Sequence, residues 1–443
     1  LEFRRVLFRS DPELVFLNHG SFGAVPHAVE RAAAALRAEM ERNPVAWLAR
    51  RSDELLGTAR ARLGAYIGAP ADDIVFFPNP TTAVNMVVDS LRLAPGDEVL
   101  ITDHEYGACV RTWRKWCAEH EVRLVVAPVA LPVSDPTSTA DEIWACVTDR
   151  TRVLFVSHLT SSTALILPVD DLCRRARAAG ILTIVDGAHV PAHLDLDLTT
   201  LGADVYTGAL HKWMCAPKGA SFLYATPAVQ QWLEPQVVSW GWESEVPSGS
   251  RFIDHHQWQG TRDLTPFLAV SAALDFVGHH DWERVRADGH RRVLAARTAI
   301  DALTGLAPVC PATRDWIGQM AVVRLPECDV ASLQSRLFGE HRIEVPCHRW
   351  NGTPVMRVSA HAHTTDADID RILAVNVKGA LHVIRATAPS MVRRGFGRIV
   401  NIIDVDADSP AAVPMVTPYK IGKAGNGDAW VEAEDRKSTR LNS

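Results

Sequence analysis

Two segments place a carboxylate and an amine at the ends of successive apolar runs. In "ILTIVDGAHVPAH" Asp186 closes a continuous apolar stretch, and 26 residues later His211-Lys212 follow another, in "GALHKWMCAPKG". A carboxylate buried at a strand end is costly unless a cation faces it, and strand ends are where open α/β sheets gather ligand-binding residues. A lysine near such a carboxylate suits an aldehyde cofactor. Its amine forms a Schiff base, while the carboxylate keeps a pyridine nitrogen protonated so that the ring accepts electrons. The plainer reading of Asp186 is a helix or turn cap. Lys218 reads as a charge serving the turn into the next strand, with Gly219 relieving the backbone.

An anion cradle lies upstream. In "NPTTAVNMVV" Thr81 and Thr82 stand at the start of a helical pattern, where free backbone N–H groups and the helix dipole favour a phosphate. Thr81 as a plain N-cap fits that segment equally well. Threonines at a helix start, an aspartate at one strand end and His-Lys at the next are together more specific than any one part.

The elements that would position these groups follow from the hydrophobic pattern. Ala28 to about Ile67 reads as helix with a break at Asn43-Pro44, and Leu36, Leu48, Leu55 and Leu63 as core candidates. Beyond it, short apolar runs ("DIVFFP", "DEVLITD", "EVRLVVAPV", "TRVLFVSHL", "ILTIVDGAH", "ADVYTGAL", "GASFLYA") are interleaved with helical patterns. Apolar strands separated by helices predict a parallel-type sheet buried on both faces, an α/β sandwich. From about Pro266 a helix-rich stretch leading to "QMAVVRLP" and "VMRVSAH" predicts a smaller α+β domain, so that the domains fall at 11–265 and 266–373. With 443 residues and 47% hydrophobic content the chain is large enough for two or three domains. A net charge of −6 offers no basic field for nucleic acid, and no apolar run approaches the roughly 18 residues of a membrane span. Eight cysteines without a CxxC suggest reduced thiols and a cytoplasmic setting. His255-His256, His279-His280 and His361-x-His363 lack any HExxH spacing, so no metal site is expected.

On "FLNHGSFGAVP", "NPTTAVN", "DHEYGA", "VDGAHVPAH", "GALHKWMCAPKGASFLY", "WQGTRDLTP" and "MRVSAHAHTTDADID", the chain from about Phe16 to Leu373 resembles the class V aminotransferase-fold enzymes that depend on pyridoxal 5'-phosphate (fold type I). Within them it is most similar to the isopenicillin N epimerase-like branch. The resemblance implies that the sheet is mostly parallel and seven-stranded, and that Lys212 is the Schiff-base lysine and the base that moves the α-proton. Asp186 would pair with the pyridinium, and His189 would lie near the ring's phenolic oxygen. His104 matches the aromatic residue that stacks on the ring, with Tyr106 as its rival. Thr81, Thr82 and His211 would hold the phosphate, together with Gly260 and Thr261 of a partner subunit in a homodimer. Arg357 would bind the carboxylate of an amino-acid substrate, where a bidentate fork fits, and Asn18, His19 and Gly20 would line the substrate mouth. Ala209 and His363-Thr364 depart from the family pattern. Cys347 lacks the loop that surrounds the reactive cysteine of desulfurases, so a bystander thiol is expected. Epimerisation ranks first by resemblance. C–S lysis of the hercynylcysteine sulfoxide lyase type comes second, transamination third, and an inactive chimera is the alternative of another class.

After about Leu373 the character changes. Asn376-Val377-Lys378-Gly379, "GRIVNI" and Tyr419-x-x-x-Lys423 resemble part of a short-chain dehydrogenase/reductase. No preceding Gly-rich βαβ half is present, and Asp406 stands where a serine is expected. Residues 374–434 therefore read as a foreign, inactive fragment. The ends, Leu1–Ser10 and Asp435–Ser443, back-translate to opposite strands of one DNA segment and read as translated adapter, outside the fold.

Overall fold

The structure, a computed structural model, describes residues 13–374 continuously, with 7–8, 11, 398–402, 416–423 and 429–433. A two-residue strand, β1 (Val15–Phe16), precedes helices at His27–Arg42 and Ser52–Ile67. The predicted break falls where expected. Asn43 ends the first helix and its side chain accepts the Ala46 N–H at 3.0 Å, with Pro44 following in the pre-set conformation.

All seven apolar runs are strands: β2 (Ile74–Phe77), β3 (Glu98–Thr102), β4 (Arg123–Ala127), β5 (Thr151–Ser157), β6 (Leu182–Asp186), β7 (Val205–Ala209) and β8 (Ser221–Ala225). Their order in the sheet is β2-β8-β7-β6-β5-β3-β4. Strands β3 to β7 pair in parallel, and β8 runs antiparallel to both β7 and β2. Both faces are covered, which is why the strands are apolar without alternation. Val153, Phe155 and Ile184 join Trp113 and Val87 in one layer, while Leu154, Val156 and Val185 join Leu172 and Ala176 in the other. The edge strand β4 is the exception, with Val126 44% exposed.

Register brings the strand ends together. Phe77 pairs with Ser221, Ser221 with Ala209, Thr207 with Asp186, and Asp186 with Ser157. The loops beyond β2, β5, β6 and β7 therefore leave from one edge, the ligand edge of an open α/β sheet.

The second layer of architecture begins with helices Val270–His279 and Trp282–Thr304 and continues into β9 (Met320–Arg324), β10 (Ile343–Glu344), β11 (Cys347–Trp350) and β12 (Thr353–Ser359). The last two and β9 form an antiparallel sheet in the order β11-β12-β9, and β10 pairs in parallel with β1. The segment after β1 is thereby tied to this sheet as well as to the large one: Ser359 N–H donates to Leu17 O at 2.9 Å. Phe8, which the sequence reading sets outside the fold, is buried beside Phe276, with ring centroids 5.8 Å apart. Toward the C-terminus β13 (Arg398–Ile402), β14 (Val416–Lys423) and β15 (Ala429–Ala433) form an antiparallel sheet, so Tyr419 and Lys423 lie on a strand. Asn376, Asp406 and the terminal segment 435–443 lie outside the described residues.

Candidate active site at Lys212

Lys212 sits half-buried in the turn between β7 and β8, close to the loop that follows β6. Its Nζ lies 3.1 Å from His189 Nε2. Burial, reinforced by the charge of Arg357 and opposed by that of Asp186, brings the Lys212 amine down to about 8. A lysine in this state is neutral in about one molecule in ten at pH 7, far more often than an ordinary lysine, and its neutral form is a nucleophile toward an aldehyde. Asp186, at the end of β6, accepts the Ala188 N–H at 2.9 Å through Oδ1, while Cys109 Sγ stands 3.8 Å from Oδ2. Burial raises its pKa, and the Ala188 bond and Lys212 pull the other way. A cationic ring nitrogen is the kind of partner this carboxylate lacks.

The helix Pro80–Ser90 begins at the same edge. Its N-cap is Asn79 rather than Thr81: Asn79 Oδ1 accepts both the N–H and the hydroxyl of Thr82, at 2.9 and 3.0 Å. Asparagine caps as well as threonine, and Pro80 fills the first helical position, which moves Thr81 inside the first turn. His211 donates through Nδ1 to Ala220 O at 2.8 Å, and burial lowers its pKa to about 4. Its Nε2 is thus a lone pair that must take up a proton before it can donate to a phosphate oxygen.

Arg357 lies in the middle of β12 and is 5% exposed. Its guanidinium donates to Ser161 O at 2.6 Å, to Ser161 Oγ at 3.2 Å and to Ser21 Oγ at 2.9 Å. Nε is buried without a hydrogen-bond partner, and burial lowers its pKa to about 10. A buried cation held by neutral oxygens and retaining a spare donor is built to receive an anion.

Other sequence-predicted residues are placed less simply. His104 is 1% exposed, with Nδ1 2.6 Å from Thr163 Oγ1 and Nε2 2.9 Å from Val129 O, whereas Tyr106 is 46% exposed and acts electrostatically on Arg357. Asn18 bonds Glu344 and accepts from Ser21, so it orients the serine that touches Arg357. His19 and Gly20 do not line an open mouth. Both are buried, and His19 bridges Lys212 O (3.1 Å) and His363 (3.0 Å) behind the lysine, because the turn at Gly23 folds this segment onto the Lys212 backbone. Gly260 (φ +96°) and Thr261 follow the helix Arg251–Gln257. Thr261 lines a cleft of about 760 Å3 shared with Trp240 and Asp254, which Lys212 does not line.

Three neighbours carried no sequence signal of their own. Glu105 is buried, accepts from Thr102 (2.6 Å) and Ser157 (2.5 Å), and is raised to about 7 by burial, with the charge of Asp186 adding to the shift. Cys109 and Trp213 are the others. Both stand beside singled-out motifs, where an apolar or acidic residue reads as ordinary packing.

His19, Cys215 and His361 bring ligand atoms within 4.8 Å of one another. The rings of His19 and His361 are stacked 3.8 Å apart at 3°, so one ion cannot lie in both ring planes. Their Nε2 atoms face Lys212 O and Trp213 O instead. A larger cleft of about 1180 Å3, lined by Tyr66, Asp170, Arg174, Asp197 and Arg286, lies away from Lys212. Several charges in it are already paired, as in Arg286–Asp195 at 2.5 Å, and the chemistry is assigned to the Lys212 edge.

A half-buried lysine near a buried aspartate at the C-terminal edge of this seven-stranded sheet is the arrangement of the fold type I enzymes. Residues 23–372 match the aminotransferase class-V family, and the chain belongs to it. That membership makes it an enzyme dependent on pyridoxal phosphate. Among its relatives, isopenicillin N epimerase of Amycolatopsis lactamdurans is 39% identical over 382 residues, covering 82% of this chain and 94% of that protein. The isopenicillin N epimerase of Streptomyces clavuligerus is 37% identical over 379 residues with the same coverage. Among solved structures, a cysteine desulfurase of Escherichia coli superposes with a TM-score of 0.74 at 20% identity, over 86% of this chain and 98% of that one. Residues 350–428 also match the short chain dehydrogenase family, overlapping the class-V match.

Proposed function

We propose that the chain is an isopenicillin N epimerase-like enzyme that inverts the α-carbon of an amino-acid-derived substrate. The observation that carries this reading is the buried Lys212 amine, 3.1 Å from His189, in a chain 39% identical to an epimerase along most of its length. The site fits pyridoxal phosphate on its own geometry. Asp186 offers a buried carboxylate for the ring nitrogen, the first turn of Pro80–Ser90 offers donors for the phosphate, joined by His211 once its Nε2 is protonated, and Lys212 offers the amine. When bound, the cofactor supplies the aldehyde and the electron sink that make the substrate's α-C–H acidic.

The remaining work falls to side chains. Arg357 holds the substrate carboxylate, with Ser21 and Ser161 fixing the plane of its fork. Lys212, released from the cofactor, takes the α-proton at Nζ. Of the aromatic pair, Tyr106 is the one we place over the ring, because a face that meets a ligand must be open in the ligand-free protein and His104 is sealed. His104 then supports the loop through Thr163 and Val129. The dimer reading rests on the exposed apolar loop next to Gly260-Thr261, with Trp240 85% and Val246 86% exposed. Sedimentation equilibrium returning a monomer mass for the holoenzyme would sink it. All eight cysteines are free, which fits the cytoplasm. In this reading residues 374–434 carry no dehydrogenase activity of their own.

C–S lysis is the second reading, since a cysteine desulfurase of Pectobacterium atrosepticum is 26% identical over 387 residues. Persulfide formation on Cys347 is disfavoured, because this thiol is buried in β11 and pushed up to about 12. To test the proposal, pyridoxal phosphate is added to the protein and a visible absorption band is sought, which Lys212→Ala should abolish. Amino acids incubated with the holoenzyme in deuterated water should then gain α-deuterium with inversion. Deuterium-free product, or keto acid and thiol in place of inverted substrate, would overturn epimerisation. A band that survives Lys212→Ala would overturn the cofactor assignment.

A further inference from the structure

We infer that Trp213 is a positioning residue that fixes the tautomer of His189, so that the ring's only N–H points at Lys212 Nζ. The functional consequence rests on Lys212 being the cofactor lysine; the tautomer itself does not.

Trp213 follows Lys212 in the chain, but its side chain turns away from solvent and is fully buried. Its Nε1 lies 3.2 Å from His189 Nδ1. An indole N–H can only donate, so Nδ1 must present a lone pair. Burial, with the charges of Lys212 and Arg357 nearby, lowers the pKa of His189 far below the usual histidine range, so the ring is neutral and carries one proton. That proton is therefore on Nε2, the atom 3.1 Å from Lys212 Nζ. The amine accepts from it in its neutral form, the form that prevails above about pH 8. Without the indole, either ring nitrogen could hold the proton, and the Nδ1–H form would face Lys212 with a lone pair.

The indole is itself held in place. His193 packs on it with ring centroids 3.9 Å apart, and His19 lies 5.2 Å away on centroids. A Cβ on Gly20 would stand 3.5 Å from its Cζ2, so the small residue leaves only van der Waals room. The His189 main chain is pinned by the same logic. The Gln319 N–H donates to His193 Nε2 at 2.5 Å, which puts the His193 proton on Nδ1, from where it donates to His189 O at 2.8 Å. Two buried rings thus have their protons assigned by donors that cannot accept, one a tryptophan and one a backbone amide. This is the outer-shell arrangement that orients a working histidine.

The test uses the full chain without cofactor, labelled with 15N at its histidine rings. The His189 signals are identified by difference against His189→Gln in solid-state spectra, where protonated and bare ring nitrogens are well separated. The wild type should show Nε2 protonated and Nδ1 bare, and Trp213→Phe, which keeps an aromatic ring but loses the donor, should show both tautomers. In the holoenzyme Trp213→Phe should lower kcat about three- to tenfold with KM little changed, the worth of one net hydrogen bond. The same change made on His189→Phe should lower it no further. A wild-type ring protonated on Nδ1 overturns the inference even if Trp213→Phe does not fold. So does a single Nε2–H tautomer persisting in Trp213→Phe, or an equal loss of kcat in the His189→Phe background. If the wild-type tautomer is as inferred but Lys212→Ala keeps the cofactor band, the functional reading fails and the tautomer stands.

Discussion

At the scale of single residues, the site separates groups that need a partner from groups that already have one. Arg357 is the clearest of the first kind, with two terminal nitrogens on serine oxygens and a buried Nε without a partner. Lysine in its place would keep the charge but lose the planar fork and the contacts to Ser21 and Ser161. Arg357→Lys should raise KM for an amino-acid substrate about ten- to a hundredfold, the loss of one charged hydrogen bond, while kcat on saturated enzyme falls much less. Steady-state kinetics reads the split. A collapse of kcat at unchanged KM would assign Arg357 to chemistry rather than to binding. Lys218 belongs to the second kind. Its Nζ donates to Gly23 O at 3.1 Å, so it clamps the loop that carries Ser21 in addition to serving the turn that the sequence suggested.

At the scale of elements, the strands were readable because a sheet covered on both faces demands continuous apolar runs, and β2 to β8 are such runs. Asp186 and Lys212 were readable for the same reason, since each terminates a run and polarity there is unusual. The direction of β8 was not readable, because local sequence does not encode strand polarity. Neither was the cap at Asn79: either Asn79 or Thr81 could stand before the apolar periodicity, and only the placement of Pro80 decides between them. Asn18, His19 and Gly20 suggest a substrate rim by resemblance, yet His19 and Gly20 are buried and His19 lies behind the lysine. Gly23 explains this. Its φ of +72° turns the chain, and a Cβ there would meet His211 O at 2.2 Å, so the loop lies directly on the Lys212 backbone. Such close approach leaves no periodic trace in a sequence. Glu105 and Trp213 were hidden differently, because their roles depend on contacts to Ser157 and His189 from other elements of the fold.

At the scale of the whole molecule, a large set of buried neutral histidines governs the response to acid. Burial holds His158, His211 and His361 at about 4 and His193 and His256 at about 3. In the unfolded chain each titrates near 6.5. As pH falls below that value the unfolded chain binds protons the folded one refuses, so stability is lost progressively down to about pH 4. Each such histidine contributes a slope of up to about 1.4 kcal/mol per pH unit across that window. Glu105 acts in the opposite sense. Raised to about 7, it keeps its proton in the fold between there and its unfolded value near 4.5, and so favours the folded state as pH drops. Asp73, Asp186 and Asp301, also raised by burial, act in the same sense as Glu105, but with His19 and His189 lowered as well the buried histidines outnumber these carboxyls and dominate. Lys212 does not enter this window, because its penalty is relieved only above about pH 8. Urea unfolding of the chain at a series of pH values from 7.5 to about 5 should therefore show the midpoint falling steeply below 6.5, with net proton uptake on unfolding. A flat midpoint over that range would mean that these rings are charged in the folded protein. The neutral state assigned to His189 would then be wrong with them.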